Sequence, residues 1–192
     1  MLPLRDGKKA AGILFVKIII GKDETQGIHE EDFKIFKPFK KCEYCLPKEF
    51  SMTSSNDSSH SYMASFVNSS NGVSFETVLK EFKEKIDFGL LSKKIKGETI
   101  TSLKKKYTNV ELMAIRENIL PSPHCRNKQI EQMFEFDLFI EHQLVKMWET
   151  IRVIGYNNNF IGVFTYGGKD EEFSLKKSVE EMPFLSESII FQ

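Results

Sequence analysis

Residues 150–168 read TIRVIGYNNNFIGVFTYGG, in which two short apolar runs flank three consecutive asparagines. Both runs are rich in β-branched and aromatic residues, which is typical of strands. Asparagine tolerates the positive φ that a tight connection requires. The stretch therefore predicts a β-hairpin with strands near 150–156 and 160–166, and the second strand ends in Tyr-Gly-Gly.

The composition is that of a folded domain without a strong overall charge. The chain has 192 residues, of which 41% are hydrophobic, and this is enough to build a core. Its 27 Lys and Arg balance 27 Asp and Glu, so no whole-protein attraction to nucleic acid is expected. The local basic stretches 33–41 and 93–107 are typical of solvated helix faces, and a weak RNA-binding stripe at 93–107 is the alternative.

Cysteine usage and hydropathy predict the compartment. The odd number of cysteines, three, favours a reducing intracellular setting. Residues 12–20, GILFVKIII, are too short to span a bilayer and include Lys17, so they predict a buried strand and not a membrane anchor. We expect a cytoplasmic protein without a membrane partner.

Composition also divides the chain into four segments. Residues 1–50 contain the strand just described, and the Ser/Asn-rich residues 51–72 predict a loop or linker. Residues 73–135 predict a helical part, and 136–192 a β-rich core. The first helix is predicted over 73–86, where Phe75, Val78, Leu79, Phe82 and Ile86 recur at helical spacing. The second is predicted over 108–120, before Pro121.

Residues 127–155 fit two periods. At helical spacing, apolar residues such as Ile130, Met133 and Phe134 share a face. At period two, Phe134, Phe136 and Leu138 alternate with acidic residues, as in a half-buried strand. A helix that gives way to strands by Leu138 reconciles the two patterns.

Two side-chain groups have the residue types of a chemical site. Cys42-x-x-Cys45, together with His124 and Cys125, has four possible zinc ligands, but the spacing matches no common zinc template and incidental cysteines are favoured. Asp137, Glu141 and His142 would form an acid/base or metal group on a helix. Paired or outward-turned carboxylates are favoured there, because unpaired carboxylates on an apolar face are costly. No catalytic, metal or cofactor site is expected.

Residues 148–183 resemble the core of a Tudor domain. A tryptophan and a strand precede a second strand that ends in aromatic-Gly-Gly, followed by acids and a capped turn. The matching residues are Trp148, Ile151, Val153, Val163, Tyr166, Gly167, Glu172, Leu175, Val179 and Pro183. The resemblance implies an α+β fold in which a small, bent antiparallel β-barrel at the C-terminus packs against helices and a strand from the N-terminal part. Gly167 would lie at the barrel corner, with positive φ or against neighbouring backbone.

The layout of the whole chain is similar to the extended Tudor domains of germline small-RNA scaffold proteins. This implies a non-enzymatic protein-interaction adaptor in RNA-silencing assemblies, located in the cytoplasm and in perinuclear granules. The partner would be a protein or peptide, with arginine-methylated peptides among the candidates and RNA as a weak alternative.

The resemblance also implies a ligand-binding aromatic rim. Its rings would be Trp148, Tyr156, Phe164 and Tyr166, whose faces attract methylated cations. Val163 and Gly168 stand where the family has a cage ring and an asparagine. We therefore expect a degenerate cage and weak or undetectable methylarginine binding.

Overall fold

The computed structural model describes residues 32–39, 42–117, 128–157, 159–169 and 189–191. These residues form ten strands and one helix. In chain order they are β1 Phe33–Phe36, β2 Cys42–Pro47, β3 Phe50–Ser58, β4 Ser61–Asn68, β5 Ser74–Glu81, α1 Phe88–Lys106, β6 Thr108–Glu117, β7 Lys128–Ile140, β8 Gln143–Asn157, β9 Phe160–Lys169 and β10 Ile189–Phe191. The strand predicted over 12–20 lies outside the described residues.

Two antiparallel sheets make up the fold. The large sheet has seven strands in the order β3-β4-β5-β9-β8-β7-β6, and the small sheet has the order β1-β2-β10. The first and last strands of the large sheet, β3 and β6, do not pair with each other, so the sheet is open. The predicted small C-terminal barrel packed against several helices is therefore wrong, because β8 and β9 are central strands of one extended sheet.

The two faces of the large sheet have different coverings. One face, which we call the inner face, packs against the small sheet around a core rich in aromatic rings, including Phe66, Phe75 and Phe164. On the opposite face, called the helix face, Leu103 of α1 packs with Phe134 and Phe136 of β7. The side chains of Tyr44 in β2 and Thr77 in β5 form a hydrogen bond between the two sheets, with 2.9 Å between the two oxygen atoms.

The hairpin predicted over 150–166 is confirmed. Strands β8 and β9 are antiparallel neighbours, and Val153 lies opposite Val163. Strand β9 continues through Gly167 and Gly168, which lie opposite Glu149 and Trp148. Gly167 lies against neighbouring backbone, as expected, since a Cβ placed on it would be 2.5 Å from the carbonyl oxygen of Trp148.

The helix predicted over 73–86 is wrong, because Ser74–Glu81 is β5. Its inner-face residues Phe75, Thr77 and Leu79 are all buried. The spacing of Phe75 and Leu79 also fits a helix, but burial of Thr77 between them is a period-two feature. The helix predicted over 108–120 is also wrong, because Thr108–Glu117 is β6. For residues 127–155 a helix was predicted that gives way to strands by Leu138. The helical part of that prediction is wrong, because β7 is a strand from Lys128 onward.

The loop or linker predicted over 51–72 is instead mostly strand. Residues 50–58 and 61–68 form the β3–β4 hairpin, so the sheet is continuous across the predicted boundaries of segments 51–72, 73–135 and 136–192. Strand β3 is at the edge and its residues 51–58 are exposed, so it needs no apolar side chains there. For this reason its composition is indistinguishable from that of a loop.

The one described helix, α1, contains residues 93–106 of the basic stretch that is typical of a solvated helix face, but its bounds were not predicted. Asp87 caps its first turn, accepting from the backbone N–H of Gly89 at 2.8 Å, and Lys104–Lys106 lie in its last turn, where cations are favourable. Gly89 and Gly97 lie inside the helix. No helix in the described part of the chain is long and apolar enough to cross a membrane.

Gly167→Ala and Gly97→Ala are expected to have opposite effects on stability. At Gly167 the new methyl group would force apart β8 and β9 at the Trp148 carbonyl, costing about 1–3 kcal/mol. At Gly97 nothing lies within 4 Å of the added carbon, so alanine should stabilise α1 by about 0.5–1 kcal/mol. Urea unfolding of both variants measures the two effects, and a neutral Gly167→Ala would contradict the close approach of these strands.

Candidate functional site

The four predicted rim rings share the inner face of β8 and β9. Phe164 and Tyr166 are 0% and 1% exposed. The ring of Phe164 stacks on Phe75 with centroids 6.3 Å apart. These two rings belong to the core between the sheets and have no free face for a cation.

Trp148 and Tyr156 are half-buried at the margin of the same core. Tyr156 contacts Phe160, with ring centroids 5.9 Å apart. A Cβ on Gly162 would lie 2.7 Å from the Phe164 ring and 2.9 Å from the Tyr156 ring, so this glycine leaves the space that both rings fill. The structure brings the predicted rings together by packing, without an open cage.

Asp137, Glu141 and His142 do not form an acid/base or metal site. Asp137 accepts from the side-chain amide of Asn109 at 2.6 Å. Glu141 and His142 are the two residues of the β7–β8 turn and have φ of 48° and 66°, the positive values that tight hairpin turns require. No cluster of three or more metal-ligating side chains occurs among the described residues.

The two described cysteines cannot jointly hold a metal. Cys42 and Cys45 are three positions apart on β2, so their side chains point to opposite faces of the small sheet. Burial raises the pKa of the Cys42 thiol to about 11, which leaves it neutral and unreactive. His124 and Cys125 lie outside the described residues.

A buried charged group spans β7 and β8 on the inner face. Glu131 and Arg152 are opposite each other in the ladder and are 0% and 1% exposed. Arg152 Nε lies 4.0 Å from Glu131 Oε2, and Arg152 also donates to Gln129. Burial raises the pKa of Glu131, while the charges of Arg152 and Arg116 lower it. These side chains pair with one another within the sheet, so we interpret them as stabilising the fold and not as a functional site.

Glu149, on the helix face of β8, has a raised pKa. Burial, and then the charge of Glu76, raise its pKa from 4.5 to about 7, and Lys106 opposes this shift. The same two carboxylates also raise the pKa of Tyr107, although burial is the larger cause there. Glu149 therefore changes charge near neutral pH.

Stability should fall as pH rises through the pKa of Glu149. A carboxyl group whose pKa is raised on folding stabilises the fold below its unfolded pKa, and that contribution is lost as pH rises through the folded pKa. A shift from 4.5 to about 7 corresponds to at most about 3 kcal/mol. Glu149→Gln should therefore stabilise the chain at pH 8 and change little at pH 5, as measured by urea unfolding. Glu98→Gln, at an exposed site on α1, is the control, and equal pH profiles for the two variants would contradict the role of burial.

Strand β3 is one of the two edge strands of the large sheet. Strand β3 pairs with β4 on one side, and no described strand lies on its other side. Its nine residues end at a two-residue turn between Ser58 and Ser61, and residues 51–60 are all exposed. In such hairpins the residues that flank the turn are a hydrogen-bonded pair, and pairs alternate, so the N–H and C=O groups of Ser55 and Asp57 point outward.

Sequence reasoning missed this edge, although one signal was present. Tyr62, Ala64 and Phe66 alternate with more exposed residues and are all buried on the inner face of β4. That period-two pattern predicts a strand inside the segment that was interpreted as a loop. A strand partner for β4 on the N-terminal side could then have been inferred from the short turn.

Sequence comparisons and structural comparisons with known proteins give different results for this chain. No protein-family model and no curated protein match it. Among solved structures it is similar to LpqN of Mycobacterium tuberculosis, a protein involved in cell envelope biogenesis, with 11% identity and a TM-score of 0.44 over 81% of this chain and 84% of that one. It is also similar to PA94 of Pseudomonas aeruginosa, a protein of unknown function described as a putative regulator, with 8% identity and a TM-score of 0.38 over 81% and 92% of the two chains.

Proposed function

We propose that this protein is a non-enzymatic interaction module that captures an extended segment of a partner protein along β3. One observation carries the proposal. Residues 51–58 are exposed at the edge of a seven-stranded sheet, and the described chain places no strand beside them. An added strand would bond to the unpaired backbone groups of this edge, which is a common mode of peptide recognition.

The edge has some of the features that block strand addition and lacks others. Natural edge strands are protected by lysines, prolines, short length, bulges or inward-pointing charges. β3 is nine residues long, FSMTSSNDS, and contains no lysine and no proline. Its one irregularity is a bulge between Met52 and Ser54, where Thr53 donates to the carbonyl of Ser65 at 3.1 Å. From Ser54 to Ser58 the strand is regular, and among the described residues no strand pairs with its outer side.

The adaptor function implied by the Tudor resemblance is retained in this proposal, but the binding surface is different. Burial of Phe164 and Tyr166 supports weak or undetectable recognition of methylarginine. The RNA-silencing assembly, and the cytoplasmic and perinuclear location, remain predictions of that resemblance.

Panning a phage library of random peptides on the full chain tests the proposal. Selected peptides, synthesised and titrated by calorimetry, should lose at least about tenfold in affinity for Ser55→Pro and Met52→Lys. Met113→Lys is the matched control, since Met113 is equally exposed on the opposite edge strand, β6. Thermal melting checks that each variant is folded. Peptides that bind the edge variants as well as the wild type would refute the proposal.

A second candidate function is RNA binding by α1. Lys93, Lys94, Lys104, Lys105 and Lys106 are all exposed on this helix. Lys94 has Glu98 nearby at 3.8 Å, which reduces its free charge. Titration of a single-stranded RNA at increasing salt tests this candidate, because contacts to phosphates give a steep loss of affinity with salt. Binding that is absent or independent of salt would exclude it.

A further inference from the structure

A row of apolar and aromatic side chains crosses the inner face, and its last member, on β3, is partly exposed. Met52 lies opposite Phe66, Phe66 opposite Phe75, and Phe75 opposite Tyr166. The three aromatic residues are at most 1% exposed, and the rings of Phe66 and Phe75 are 6.1 Å apart. Met52, at the outer end of the same row, is 43% exposed. An apolar side chain beside Met52 would continue the row and cover it.

The same face of β3 also has the strand's single charge. Asp57 lies opposite Tyr62, Ser55 opposite Ala64, and Met52 opposite Phe66. Asp57 is exposed, and it forms no salt bridge with any other described residue. A cationic side chain directly opposite would be a favourable cross-strand pair. The edge therefore has a charged position and an apolar position at a fixed separation.

The register of β4 measures that separation on a neighbouring strand. Tyr62 and Phe66, which lie opposite Asp57 and Met52, are four residues apart, because the bulge at Thr53 adds one residue to β3 only. A strand added on the other side and running antiparallel would use the same spacing. Every neighbouring pair in this sheet is antiparallel, which favours that direction.

We infer that the segment captured by β3 is an antiparallel strand with a Lys or Arg followed four residues later by an aliphatic or aromatic residue. This inference rests on the proposed function and specifies its partner class. The intervening residues that face the other side would lie beside Asn56 and Ser54, both exposed and polar, so polar side chains suit those positions. The partner strand is thus amphipathic, with its basic and apolar side chains on one face.

Synthetic peptides of one composition test the spacing and direction on the full chain. In the first, Lys precedes Phe by four residues; in the second the spacing is five; in the third Phe precedes Lys by four. Calorimetry should give at least about tenfold tighter binding for the first peptide. Equal binding of the first two would overturn the spacing, and preference for the third would overturn the antiparallel direction.

Charge exchange tests the assignment of Asp57. Asp57→Lys should lower the affinity for the Lys peptide and raise the affinity for a matched peptide with Glu in place of Lys. Met113→Lys should change neither affinity. No response to the exchange would overturn the charge contact. The proposed function is tested separately by Ser55→Pro. If the pattern fails but all peptides still lose affinity for Ser55→Pro, strand addition stands without this specificity; if none loses affinity for Ser55→Pro, the proposed function fails.

Discussion

Arg152→Met is expected to reduce the free energy of unfolding by about 3–5 kcal/mol, because it leaves a buried carboxylate without its main cation. Arg152 is 1% exposed, lies opposite Glu131 in the β7–β8 ladder, and donates to Gln129. Arg116 Nη2 remains, 3.5 Å from Glu131 Oε1, but its side chain is partly exposed and held at the edge strand β6. Guanidinium unfolding monitored by circular dichroism measures the loss.

Two further variants separate the buried charge from lost packing. Arg152→Met combined with Glu131→Leu should recover most of the stability, since an apolar pair can replace a buried ion pair. Lys146→Met removes an exposed partner of Glu135 from the same ladder and should cost at most about 1 kcal/mol. If the double variant were no more stable than Arg152→Met alone, lost packing and not the orphaned charge would be the cause.

The pH dependence of the stability loss in Arg152→Met is an independent test of the buried charge. Burial already raises the pKa of Glu131, and the charge of Arg152 opposes that rise. Without the arginine the pKa should rise further, so the folded state accepts a proton more readily and the penalty shrinks as pH falls. The stability loss should therefore be smaller at pH 5 than at pH 8. A loss that does not change with pH would contradict a buried ionised carboxylate in the variant.

The hairpin of β8 and β9 was predictable because its signals are local. Alternating β-branched and aromatic residues define both strands, and the asparagines between them define the turn. The close approach at Gly167 was also predictable, since only a residue without a Cβ fits against the Trp148 carbonyl. Neither inference required knowledge of which strands lie further away in the sheet.

The remaining strands were mistaken because their partners are distant in sequence. Strand β5 pairs with β9, and Ser74 lies opposite Gly167. Nothing within residues 73–86 indicates that partner, so the helical spacing of its apolar residues dominated the prediction. The same holds for β6, which has bulges in its pairing with β7 and exposes Met113 and Ile115. Tertiary pairing overrides local periodicity in such segments.

The candidate site was hidden from the sequence for a related reason. Whether a strand is an edge depends on the order of all strands in the sheet, and Ser/Asn-rich β3 has no pattern of its own. The aromatic residues of β8 and β9 were visible, but their accessibility was not. Phe164 and Tyr166 are covered because the sheet of β1, β2 and β10 packs on that face. The sequence of the hairpin does not contain that information.

Phe164→Ala distinguishes a core residue from a cage residue and is expected to cost about 3–5 kcal/mol of stability. Its ring is fully buried, stacks on Phe75, and fills the space above Gly162, so truncation leaves a cavity between the two sheets. Phe139→Ala is the matched control, because Phe139 is 67% exposed on β7 and should change stability by no more than about 0.5 kcal/mol. Urea unfolding measures both, and calorimetry with a symmetrically dimethylated arginine peptide completes the comparison. A ring that binds a cation at an open rim would lose ligand affinity with little loss of stability, and that result would restore the aromatic cage and refute the packed core described for this face.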